Sequence, residues 1–126
     1  MPISYEIVDG LVLTKVEGEA DLADVRSYLA TLQADPAYGR AAGTLIDCRT
    51  AKTLLSADDW RALATELRKS TSASARPRTA MLAGSDVVFG TLRMYEVFVE
   101  GSNASVRIFR DEMEAMAWLG DARQAR

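Results

Sequence analysis

Polar and apolar positions alternate loosely from Ser4 to Asp9, and Leu11 to Val16 resumes the pattern after the two-residue turn signal Asp9-Gly10. This predicts an N-terminal β-hairpin whose second strand closes at Gly18. Asp21 then stands as an N-cap with Asp24 placed to reach back to it. Leu22, Val25, Leu29 and Leu32 follow on one helical stripe, predicting a helix to about Ala34 that lies on a sheet. Asp35-Pro36 stops it, because the residue before proline is pushed out of the helical region. Gly39 to Gly43 makes a small-residue connection, and Thr44 to Cys48 reads as a short buried strand.

Ser56, followed by Asp59, resembles a second capping arrangement, and Trp60, Leu63, Ala64 and Leu67 form the apolar face of a second helix. Ser70 to Arg78, rich in Ser, Thr and Ala, is expected to be a flexible connection within the domain. Thr79 to Ala83 predicts a strand, and Gly84-Ser85 leads into a third helix reaching about Glu100. Gly101-Ser102-Asn103 breaks that helix. Ser105 to Phe109 is the last strand, and Asp111 with Glu114 caps a final helix containing Met113, Met116, Trp118 and Leu119. The order is ββαβαβαβα. Helices between strands imply parallel pairs with right-handed crossovers, so a mixed sheet of about five strands with four helices is expected, in the α/β class. The 126 residues read as a single domain, with about 120–126 a frayed tail.

Composition narrows the function classes. Hydrophobic residues make up 48% of the chain, and a domain of this size buries roughly 68% of its unfolded surface, so it folds without disulfides or metal. Lys and Arg number 15 against 18 Asp and Glu, a net charge of −3 that argues against a nucleic-acid partner. Apolar runs fall far short of the ~18 residues of a membrane span, and no signal-peptide pattern opens the chain. A cytoplasmic location is expected.

The segments Leu45-Ile46-Asp47-Cys48-Arg49, Phe89-Gly90 with Arg93-Met94-Tyr95, Phe109-Arg110-Asp111 and Ala117-Trp118-Leu119 resemble the SpoIIAA-like (STAS-like) fold. The similarity is to a bacterial group of small stand-alone proteins of SpoIIAA-like or STAS/SEC14-domain type, and it covers nearly the whole chain. The resemblance implies the fold without specifying chemistry. In the anti-sigma-factor antagonists of that fold, an Asp-Ser-Ser-Gly stretch carries a serine that a partner kinase phosphorylates. Aligned on Asp47, Ser56 falls on that serine and becomes the candidate phosphorylation site. Leu55, Ala57 and Asp58 depart from the motif, and Asp58 and Asp59 would repel a phosphate. An N-cap is the simpler role for Ser56.

Motifs for catalysis are missing. Cys48 precedes Arg49, but a Cys-x5-Arg loop would need arginine where Leu54 stands, and no histidine exists to lower the thiol pKa. Cys48 therefore reads as a small buried hydrophobe, and Cys48-dependent chemistry is the minor alternative. Serine-hydrolase and nucleotide-loop motifs are absent, and no cofactor or metal is implied. Acidic pairs such as Asp58 with Asp59 and Glu112 with Glu114 sit at helix starts, where the dipole favours them. Arg68, Lys69, Arg76 and Arg78 form a basic cluster that reads as solvated surface.

The third helix is apolar on more sides than one sheet covers. Val88, Leu92, Tyr95 and Val99 share the face suited to the sheet, while Val87, Thr91, Met94 and Phe98 form a second stripe. A neighbouring helix, a second subunit or an apolar ligand could cover the surplus. Val87, Gly90, Arg93, Met94, Tyr95 and Phe98 are accordingly the candidate interface or pocket. Gly90 is a position where another backbone or a ligand could approach closely, and Arg93 is expected to pair with Glu96 or Glu100. The expected function is a non-enzymatic binding or regulatory module acting through a protein partner or as a homodimer. The alternative is a carrier of a small apolar or lipid-like ligand in a pocket beside the third helix.

Overall fold

Asp9 and Gly10 carry φ values of 52° and 80°, the pair of positive angles a tight primed hairpin turn requires. The turn joins β1 (Ile3–Val8) to β2 (Leu11–Glu19) in an antiparallel ladder that opens with Val8 opposite Leu11. The computed structural model describes residues 2–53, 55–70, 78–100 and 105–124. After the hairpin come α1 (Leu22–Ala34), a 3-10 turn (Pro36–Arg40), β3 (Gly43–Thr53) and α2 (Ala57–Ser70). They are followed by β4 (Arg78–Ala83), α3 (Asp86–Phe98), β5 (Ser105–Phe109) and α4 (Glu112–Gln124). The five strands lie in sequence order, with β2 through β5 mutually parallel. The mixed sheet and the element order match the expectation from sequence.

Strand order explains the layering. Successive right-handed crossovers that always step to the next position place their helices on one face. Accordingly Val25 and Leu29 of α1, Trp60 and Leu63 of α2, and Val88 and Leu92 of α3 pack in one cluster with Val16, Cys48 and Met81 of the sheet. The chain leaves β5 for the opposite face, where Ala115 and Leu119 of α4 close over Leu45, Ala80, Leu82 and Phe109. Arg78 fastens this layer, donating to the Trp118 carbonyl at 2.8 Å with its guanidinium over the indole.

Helix starts follow the local chemistry. Asp21 accepts from the Asp24 N–H at 2.8 Å while the Asp24 carboxylate accepts from the Asp21 N–H at 3.0 Å, a complete capping box. Ser56 and Asp59 repeat the box at α2, with both bonds 3.1 Å. Ser85 and Asp111 cap α3 and α4 by the same side-chain-to-backbone bond.

Three boundaries differ from the sequence expectation. β2 does not close at Gly18 but passes through it with φ 65° and a shift of register, and β3 does not stop at Cys48. The two strands extend together, pairing Glu17 with Thr50 and Glu19 with Thr53 beyond the point where the β3–β4 ladder ends at Cys48 and Ala83. This two-stranded extension exposes Arg49, Thr50 and Lys52, so a search for a buried apolar run ends too early. The 3-10 turn, begun by Pro36 and capped by Asp35, occupies part of the expected connection. α4 continues to Gln124, into the stretch read as a frayed tail. Most of the Ser70 to Arg78 connection, and Gly101, Ser102 and Asn103, lie outside the described residues.

Candidate functional site

The inner face of the sheet presents Thr14 and Val16 from β2, Thr44, Ile46 and Cys48 from β3, and Thr79 and Met81 from β4. Alternation puts every second residue of these strands on that face, and the ladder aligns Thr14 with Ile46 with Met81, and Thr44 with Thr79. Several of these side chains are small. The layer between sheet and helices is therefore incompletely filled, and a cavity of about 840 Å³ lies there. Val25, Tyr28 and Leu29 of α1 and Trp60, Leu63 and Leu67 of α2 form its other walls, with Tyr95 contributed by α3. The size falls in the range of pockets that enclose a small molecule, about 300–1,000 Å³.

The exposed side chains of Arg26 and Gln33 on α1 and Glu66 on α2 rim the cavity. Arg26 donates to Glu66 at 2.7 Å, tying α1 to α2 across that rim. Inside, the Thr14 and Tyr28 hydroxyls lie 2.7 Å apart and share a hydrogen bond. Burial pushes the Tyr28 phenol up to about 12, and does the same to Tyr95. Both remain protonated near neutral pH. The Cys48 thiol is also pushed up to about 12, chiefly by burial and secondarily by Asp47. A thiol held protonated is a poor nucleophile, which fits the reading of Cys48 as a buried hydrophobe. Native protein at pH 8 is expected to leave Cys48 unmodified by iodoacetamide over an hour, whereas protein in denaturant reacts within minutes. Rapid labelling of the native chain by mass spectrometry would contradict this.

On the outer face, Asp47 accepts from Arg49 Nε and Nη2 at 3.0 and 2.9 Å, and Arg49 also donates to Glu112 at 2.8 Å. The arginine holds the Asp47 carboxyl below its usual range. This network ties β3 to the start of α4, and its cation is already matched by two carboxylates. Among the described residues no group of three His, Cys, Asp or Glu side chains is arranged to hold a metal ion. No helix among them is long and apolar enough to cross a membrane.

The residues singled out on α3 separate into two sets. Tyr95 stacks on Trp60 with ring centroids 4.9 Å apart, Phe98 lies under the Arg61 guanidinium at 4.9 Å, and Met94 packs against the same cluster. A neighbouring helix, α2, thus covers the Phe98 end of the second stripe. Val87, Gly90 and Arg93 face outward, Val87 being 77% exposed. Arg93 pairs with Glu96 at 3.1 Å, one of the two partners expected. Among the described residues, a side chain placed at Gly90 would meet nothing within 4 Å, so none of them makes the close approach envisaged there. Only Tyr95 of the six lines the cavity, which lies under α1 and α2 instead of beside Val87 and Phe98. Ser56 is exposed and occupied as an N-cap. Of the basic cluster, only the Arg78 side chain is described, and it is held against Trp118.

Sequence reasoning missed Val25, Tyr28, Leu29, Ile46 and Met81 as cavity walls. Their helical and strand periodicities are those of ordinary core. The available signal was the recurrence of Thr and Cys at inward positions of adjacent strands, where larger aliphatic residues would fill the layer.

No protein-family model and no curated protein matches the chain. Solved structures do. An uncharacterized protein of the DUF3478 family with a SpoIIAA-like fold, from Shewanella loihica PV-4, superposes with a TM-score of 0.62 at 20% identity, covering 93% of each chain. The anti-sigma factor antagonist SpoIIAA in its unphosphorylated form gives a TM-score of 0.59 at 18% identity, over 94% of this chain and 97% of that one. The chain is thus an α/β protein of the SpoIIAA-like fold, as the resemblance in its sequence implies.

Proposed function

We propose that this chain is a non-enzymatic binding module that carries a small, largely apolar molecule in the cavity between its sheet and α1–α2. The cavity itself carries the reading: about 840 Å³, walled mainly by aliphatic and aromatic side chains, with the Thr14 and Tyr28 hydroxyls paired to one another. The Cys48 thiol and the Tyr28 and Tyr95 phenols that line it are held in their neutral forms, which suits binding better than catalysis. The test is a titration with N-phenyl-1-naphthylamine, a neutral dye whose fluorescence rises when it leaves water. One dye per chain is expected to bind saturably, and the signal is expected to vanish on unfolding in urea. Absence of a saturable rise would sink the carrier reading.

A second reading rests on the fold shared with an anti-sigma factor antagonist. In it the chain regulates a protein partner or pairs with a second copy, meeting it through the outward face of α3 at Val87, Gly90 and Arg93 and through Ser56. Native mass spectrometry of protein from its own host separates the readings. A monomer carrying a noncovalent small-molecule mass supports the carrier, and a dimer, or phosphate on Ser56, supports the regulator.

A further inference from the structure

β1 forms one edge of the sheet, and its ladder to β2 fixes which of its backbone groups look outward. The Pro2 carbonyl accepts from the Glu17 N–H at 2.8 Å, and hydrogen-bonded pairs alternate along an antiparallel ladder. Ser4, Glu6 and Val8 therefore turn their backbone groups to β2, and Ile3, Tyr5 and Ile7 turn theirs outward. Among the described residues no hydrogen bond reaches that outward row. Of the devices that blunt an exposed edge, the strand carries a single charge, Glu6. Its register runs from Ile3 to Val8 without a bulge, and no proline interrupts it.

We infer that β1 pairs antiparallel with β1 of a second copy, Tyr5 opposite Tyr5, so that two sheets continue as one. The inference rests on the second reading, in which the chain pairs with a second copy, and moves that pairing from α3 to the strand edge. The α3 face and Ser56 are left to a different protein partner. The strand is complementary to itself when reversed about Tyr5. Ile3 then lies opposite Ile7, and the outward backbone groups of Ile3, Tyr5 and Ile7 bond to those of the same three residues in the second copy. These side chains are half-buried on the helix side of the sheet, and that apolar row continues across the joint. On the other face Ser4 lies opposite Glu6, and Val8, 41% exposed, is covered by Pro2. Lys15 stands opposite Ser4 in the β1–β2 ladder, so it shares a row with Glu6 of the second copy. Two strand spacings, roughly 9–10 Å, separate them across the short serine, within reach of two long side chains of opposite charge. A slip of two residues would set Glu6 against Glu6 and repel.

Sedimentation equilibrium of the unaltered chain is expected to show a reversible monomer–dimer equilibrium in the micromolar range, as suits a small interface. Ser4 is exposed, so replacing it tests the pairing with the fold intact. Ser4→Glu sets a new carboxylate against Glu6, and the two-fold axis applies the repulsion twice, so the dimer is expected to weaken roughly five-fold. Ser4→Lys is expected to tighten it by about the same factor. If neither variant moves the equilibrium, or if Arg93→Glu dissociates the dimer, the copies meet elsewhere; the inference is overturned while self-pairing stands. A chain that stays monomeric up to millimolar concentration overturns both. Cross-linking checks the register. Positions 4 and 6 of opposite copies form a pair without backbone bonds, with Cα atoms about 4.5 Å apart, inside the range a disulfide spans. The Ser4→Cys, Glu6→Cys double variant is expected to yield a disulfide-linked dimer on mild oxidation, and Glu6→Cys alone to yield none. A double variant that does not cross-link, or a Glu6→Cys protein that does, overturns the assignment.

Discussion

Gly84→Ala is expected to lower the thermal unfolding midpoint by about 10 °C, the consequence of losing ~2–3 kcal/mol in a domain of this size. Gly84 links the end of β4 to Ser85, the cap of α3. A Cβ added there would lie 2.5 Å from the Arg49 carbonyl oxygen and 3.0 Å from the Arg49 Cα. Those are backbone atoms of β3, immediately beyond the Cys48–Ala83 pair that ends the β3–β4 ladder. Relief therefore requires moving a central strand, since no side chain is present to swing away. Gly90→Ala is the matched control. It lies in the interior of α3 with nothing within 4 Å of the new methyl, so it is expected to raise stability by about 0.5–1 kcal/mol through helix propensity alone. Circular dichroism melts of the two variants check both signs. A Gly84→Ala protein that melts with its parent would show that β3 and β4 yield more easily than their contact implies.

That contrast between two glycines shows where sequence reasoning reaches its limit. Both are small residues beside or within the same helix, and their neighbours along the chain do not distinguish them. What separates them is the distance to Arg49, which lies 35 positions from Gly84 in sequence and is known only once the sheet is assembled. Features written in adjacent residues were legible: the Asp9-Gly10 turn, the boxes at Asp21 and Ser56, the caps at Ser85 and Asp111, and the alternation of helices and strands. The cavity was not. It is a volume that side chains fail to fill, and periodicity reports which face of α1 or β3 points inward without reporting whether the faces meet. The surplus apolar stripe of α3 drew attention because amphipathicity is visible in one helix, but Met94 and Phe98 pack against the core, with Arg61 of α2 over the Phe98 ring. The unfilled space lies one helix pair away, beneath Val25, Leu29 and Leu63.

Ile46→Glu is expected to reduce uptake of N-phenyl-1-naphthylamine by at least about a hundred-fold at pH 8, equivalent to ~2.7 kcal/mol. Ile46 sits on β3, between Thr14 and Met81 in the ladder, on the floor of the cavity. Without ligand the cavity is roomy enough for water to solvate a carboxylate there, so the fold is expected to survive with only the loss of apolar burial. With ligand that water must leave, and covering an ionised carboxylate with an apolar dye carries the full desolvation cost. The same cost raises the carboxyl pKa above its ordinary value of about 4.3 in the occupied cavity, because burial disfavours the charged form. The sign of the pH dependence follows. Affinity is poorest where the carboxyl is ionised and recovers as pH falls through the raised pKa, whereas the parent protein, with Ile46, has no such dependence from this position. Ile46→Gln, the uncharged analogue, is expected to keep most of the remaining affinity at every pH. A structural disruption of the floor would weaken glutamate and glutamine variants alike and would not be reversed by acid. Undiminished uptake by Ile46→Glu at pH 8 would place the dye elsewhere on the protein and remove the cavity as its site.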